Sequence, residues 1–212
     1  MLAQWKLSET ALEILAERFP DFSPEACLLK TVAVNAIYGT QLLATVRMAK
    51  HVEKLLCNSS VKSLGPEIVQ QIACLPASDG QKKRMAVSFA SKFCHFFVDS
   101  ERFPIYDDAA REALKLHLGP KICNTNEASP YLGFCTNLER LRKTANLQPG
   151  TKQLDRYLWL TGMFMRWIKE SSKTNPRVNT ELKELFQRPS SAIAAELRAM
   201  LPETLAAQIG PA

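Results

Sequence analysis

The chain has 212 residues, of which 46% are hydrophobic and 23% charged, and a formal net charge of +6. This length can bury a sizeable core, and the composition excludes a disordered or fibrous chain. The positive charge permits a nucleic-acid partner without requiring one.

No apolar stretch approaches ~20 residues, so no membrane-spanning segment is expected. The first residues, with Glu9 and Glu13, lack the basic-then-apolar order of a signal peptide. Cys27, Cys57, Cys74, Cys94, Cys123 and Cys135 form no Cys-x-x-Cys pair and have no zinc or iron–sulfur spacing. They read as reduced core thiols, and a cytoplasmic protein is expected.

Apolar residues recur at i, i+3 and i+4, and only 8 residues are glycine, so the fold class is all-α. Ser8 to Arg18 reads as an amphipathic helix capped by Ser8 and ended by Pro20. Ser23-Pro24-Glu25 opens a second helix, with proline at its first position. This helix is apolar nearly all round as far as Gly39 and is expected to be central; Asn35 lies inside it. Thr40 to Cys57 reads as one long helix with Arg47, Lys50, His51 and Lys54 on its polar face. Gly65-Pro66 opens a short helix to Cys74, and a loop spans 76–80. The helix that carries Lys92 is expected from Gln81.

A further helix runs from Asp107 to Leu118 and stops at Gly119-Pro120, before a loop through Asn124, Asn126 and Pro130. Helices follow over Tyr131 to Ala145 and Thr151 to Glu170, with a turn at Pro149-Gly150 between them. Residues 171–177 read as a polar linker. Two amphipathic helices broken at Pro189 and Pro202 complete the chain. The expected organisation is a main helical domain over 1–170, with a linker and helical appendage over 171–212.

The stretch that promises chemistry is Ser88 to Leu118. Lys92 sits among Phe89, Ala90, Phe93, Cys94, Phe96 and Phe97. An ammonium among apolar side chains must be paired, must snorkel to water, or must lose its proton. A neutral lysine is a nucleophile. After Phe103-Pro104-Ile105-Tyr106 comes Asp107, placed to cap the next helix, and then Asp108. A capping carboxylate is held rigidly near the positive end of the helix dipole, where it can stabilise a developing cation. Asp108, at the first helical position, is expected to be solvated.

A lysine on one helix, followed by Pro-x-x-Asp opening the next, resembles the core of the helix-hairpin-helix DNA glycosylases. With "FASKF", "FPIYD" and "LDRYLWLTG" (154–162), the chain is most similar to the 8-oxoguanine DNA glycosylase branch, over residues 25 to 170. The resemblance implies a helical bundle in which Lys92 is the nucleophile and Asp107 the catalytic acid. It implies excision of a damaged or modified base, such as 8-oxoguanine, from duplex DNA with the base flipped out. It also implies a possible β-lyase step, no cofactor, and action as a monomer. The chain departs from the family at the hairpin. Ala86-Val87-Ser88-Phe89-Ala90-Ser91 stands where the glycine-rich phosphate clamp belongs.

Phe93, Phe96, Tyr106, Trp159 and Trp167 are candidates to stack on a flipped base, or are core residues. Asn35 could read a base edge or satisfy a backbone group. Asp155-Arg156 reads as a structural ion pair. Lys82, Lys83, Arg84, Arg140, Arg142 and Lys143 are candidate DNA-backbone contacts, or simply solvated charge. Two other readings compete: a non-catalytic nucleic-acid- or protein-binding module on the same scaffold, and a defence protein acting on modified foreign DNA.

Overall fold

The computed structural model describes residues 3–76, 85–123, 129–146, 150–170, 178 and 180–187. The described chain is all-α. Its helices are α1 (Ala3–Arg18), α2 (Pro24–Tyr38), α3 (Thr45–Leu56), α4 (Glu67–Ala73), α5 (Val87–Phe97), α6 (Asp108–Leu118), α7 (Pro120–Cys123), α8 (Pro130–Thr144), α9 (Thr151–Glu170) and α10 (Thr180–Gln187), with a 3₁₀ turn at Val61–Ser63. No strand occurs, and no helix is long and apolar enough to cross a membrane, among the described residues.

Several boundaries follow the sequence, and some do not. Ser23 caps α2 by accepting the Ala26 amide, with Pro24 in the first turn, and Gly39 closes it at φ +55°. α1 begins before Ser8, which lies inside it. The expected long helix from Thr40 starts only at Thr45, because Gln41 takes a positive φ in the turn from α2. α5 begins at Val87 rather than Gln81, with Met85 and Ala86 non-helical before it. Beyond Gly119, the chain makes the further helical turn α7. The proposed linker 171–177 and the segment from 188 onward lie outside the described residues. α10 packs on the end of α9 through Phe186, Phe164 and Trp167.

The central helix is α5, not α2. Val87, Phe89, Ala90, Ser91, Lys92, Phe93, Cys94, His95 and Phe97 are all buried in it. Phe93 is fully enclosed by the rings of Phe22, Phe89 and Phe97. α2 buries one face and leaves Leu29, Val32 and Ile37 exposed. An all-round apolar helix can thus lie at the surface when its neighbours cover only one side. All six cysteines are free thiols; Cys27 and Cys94 are buried, whereas Cys57 is exposed rather than in the core.

α6 and α9 cross closely at Gly162. A Cβ there would stand 2.1 Å from the Ala109 carbonyl oxygen, which is backbone and cannot swing aside. Gly162→Ala is therefore expected to destabilise the fold by about 1–3 kcal/mol through overpacking, despite alanine's better helix propensity. Chemical denaturation reads this; an unchanged or raised midpoint would show that the crossing can relax.

Candidate active site

Lys92 projects from the central helix and is 5% exposed, so it does not snorkel. Its Nζ donates to Ser88 Oγ at 2.8 Å, one helical turn back, and lies 5.6 Å from the centre of the Tyr38 ring. Burial lowers its pKa from the ordinary 10.5, against the opposing pull of Asp107, then Asp108 and Asp155. Desolvation outweighs three carboxyl groups because an ammonium in an apolar site loses most of its hydration.

Asp107 is the N-cap of α6. Its Oδ1 accepts the Ala110 amide at 2.8 Å. The linker that delivers Asp107 is pinned at four successive residues by side chains from three helices. His95 Nδ1 meets the Phe103 carbonyl at 2.9 Å, and Tyr131 Oη donates to the Pro104 carbonyl at 3.0 Å. Asp155 Oδ2 accepts the Ile105 amide at 2.9 Å, and Ser91 Oγ accepts the Tyr106 amide at 3.0 Å. Each of these buried or half-buried peptide groups finds a side-chain partner where no regular structure supplies one. The result is an extended segment with little freedom, which fixes the carboxylate that follows it.

Asp155 was expected to pair with Arg156. Arg156 instead binds Glu9 on α1, while Asp155 turns inward, 6% exposed, with Oδ2 3.5 Å from His95 Nδ1. Its Oδ1 has no hydrogen-bond partner among the described residues. Burial raises the Asp155 pKa well above its ordinary value of 3.8; the Ile105 amide opposes this, and Asp107 adds to it. Burial thus disfavours the charged form of both Asp155 and Lys92.

His95 is the third buried titratable group here. Burial is the main cause that lowers its pKa from 6.5 to about 4. The native ring stays neutral while an unfolded chain takes up its proton, so stability falls as pH drops from about 6.5 towards 4. The full loss is about 3 kcal/mol. Asp155, with its raised pKa, acts in the opposite direction. The difference between the pH–stability curves of the native protein and His95→Asn isolates the histidine. If the curves run parallel through this window, the ring is not held neutral.

The remaining sequence candidates divide. Phe96 stacks on Tyr38 with centroids 5.5 Å apart, which puts an aromatic pair beside the Lys92 amine. Phe93 belongs to the core. Tyr106 faces α8, against Phe134, with the Arg111 guanidinium over its ring. Trp159 and Trp167 pack against the smaller apolar cluster that α10 completes. Asn35 staples the α2–α3 turn: Oδ1 accepts from Thr40 Oγ1 and the Leu42 amide, and Nδ2 donates to the Leu42 carbonyl. That is backbone satisfaction, the structural alternative for this residue.

Arg140 reaches the Ile122 carbonyl, Arg142 reaches Thr151 Oγ1, and Lys143 is exposed. Lys82, Lys83 and Arg84 lie outside the described residues. Sequence reasoning missed Tyr38, Ser88 and the inward role of Asp155. Only Ser88 had a readable signal, its i, i+4 spacing from Lys92.

The HI_0787_N family, an N-terminal domain, matches residues 2–101. This is just under half the chain, from α1 to the end of α5; it takes in Lys92 and stops short of Asp107. No curated protein and no solved structure matches the chain.

Proposed function

We propose that the protein is a DNA glycosylase that excises a damaged or modified base, 8-oxoguanine among the candidates, through Lys92 and Asp107. One observation carries this reading: a lysine amine buried in an apolar site and held by Ser88, within electrostatic reach of a capping carboxylate on a pinned linker. A protein that needed only stability would gain by replacing such a buried cationic residue with an apolar one.

In this reading a flipped nucleotide enters beside Tyr38 and Phe96. Positive charge grows on the sugar as the C1′–N bond loosens, and the Asp107 carboxylate stabilises it. Neutral Lys92 attacks C1′ with its lone pair, and the bonding pair of the C1′–N bond leaves with the base. The new ammonium gives up a proton, the C1′–O4′ bond opens, and O4′ is protonated. The product is an imine. Loss of a 2′ proton and departure of the 3′ phosphate would then nick the strand.

Borohydride trapping with duplex oligonucleotides carrying different lesions tests this, because reduction of the imine leaves a stable adduct. The expected result is an adduct with at least one lesion and none with undamaged duplex. Absence of both adduct and base release across the lesion set would sink the proposal. It would leave the non-catalytic binding module, which the 5% exposure of Lys92 favours.

A further inference from the structure

A concavity lies between α6, α7 and α8, with Tyr106 on its wall. Its volume is about 360 Å³, more than a lone oxyanion fills and at the lower end of the small-ligand range. Arg111 and Lys115, one turn apart on α6, line it together with Ser129, Asn137, Leu114 and Phe134. These groups combine two cations and two polar side chains with an apolar wall.

The donors are positioned and only partly used. The Arg111 guanidinium carbon lies 5.0 Å from the centre of the Tyr106 ring, and one terminal nitrogen donates to Asp108. Its Nε is buried, with no hydrogen-bond partner among the described residues. A buried guanidinium N–H without an acceptor is costly, and the forked donors of a guanidinium match an oxyanion. Lys115 pairs with Glu112 at 2.8 Å, but both are well exposed, so that pair is weak and exchangeable. Ser129 Oγ accepts the Tyr131 and Leu132 amides, which leaves its own proton to donate. Asp108, paired to Arg111 but 74% exposed, can yield its place to a ligand at little cost.

We propose that this concavity binds a nucleotide unit, with its phosphate on Arg111 and Lys115 and its base against Leu114 and Phe134. The site is distinct from the Lys92 chemistry and does not rest on it. A free mononucleotide and a nucleotide within a strand present the same chemistry.

The test follows the Arg111 side-chain Nε–H signal by NMR, assigned through its loss in Arg111→Lys. Four probes are titrated: a deoxynucleoside 5′-monophosphate, the unphosphorylated nucleoside, orthophosphate, and a short single-stranded oligonucleotide. The expected result is a saturable shift with the monophosphate, at lower concentration than with either the nucleoside or orthophosphate. Lys115→Met should weaken binding about tenfold, the worth of one charge-assisted contact. Asp108→Asn should strengthen it by freeing the guanidinium. Lys92→Gln should bind as the native protein does, which keeps this outcome separate from that of the excision assay. Tighter binding of the oligonucleotide would identify a strand as the source, and equal binding a free nucleotide. No shift with the monophosphate, equal affinity for orthophosphate, or indifference to Lys115→Met would overturn the proposal.

Discussion

Lys92→Gln is expected to abolish borohydride trapping completely and to reduce base release to background, while the protein stays folded. Glutamine is one atom shorter than lysine but keeps an unbranched stem and a polar end aimed at Ser88, so the packing of α5 should largely be preserved. It has no lone pair basic enough to attack C1′. The substitution also removes a group that is costly to bury, so thermal stability should hold or rise. The pH profile of the native protein supplies the companion measurement. If Lys92 is the nucleophile, only its neutral amine attacks, so activity is expected to rise with pH through the Lys92 titration. Burial places that limb below the ordinary lysine value of 10.5. Full activity in Lys92→Gln on a confirmed substrate would remove Lys92 from the chemistry.

Asp107→Asn is expected to slow base release by roughly two or more orders of magnitude, the usual effect of deleting one electrostatic stabiliser. Asparagine caps a helix about as well as aspartate and can still accept the Ala110 amide, so stability should barely change. The charge alone is lost. Among the carboxyl groups, Asp107 opposes the downward shift of Lys92 most strongly, so its removal should move the ascending pH limb to still lower pH. A purely structural cap would give neither result. Asp107→Ala should lose about 1 kcal/mol of stability in addition. If base release in Asp107→Asn stays within a fewfold of native, the carboxylate is only a cap.

Helical periodicity was enough to read the all-α class, the Ser23-Pro24 start of α2, the limits of α9 and the capping role of Asp107, because each depends on residues within a few positions of one another. That Lys92 would need a polar partner was also legible, since an apolar helix carrying one lysine poses a problem that the sequence states openly; the partner in the structure is Ser88. Tertiary structure decided the rest. It made α5 rather than α2 the central helix, because an apolar surface is buried only where neighbours arrive to cover it. It took Arg156 to Glu9 and turned Asp155 towards Ile105, a choice between partners on distant helices. It brought Tyr38 over the Lys92 amine from 54 residues away. The pinning of Phe103 to Tyr106 by His95, Tyr131, Asp155 and Ser91 has no local pattern, because the backbone groups of an extended link take whichever side chains the packed helices place within reach.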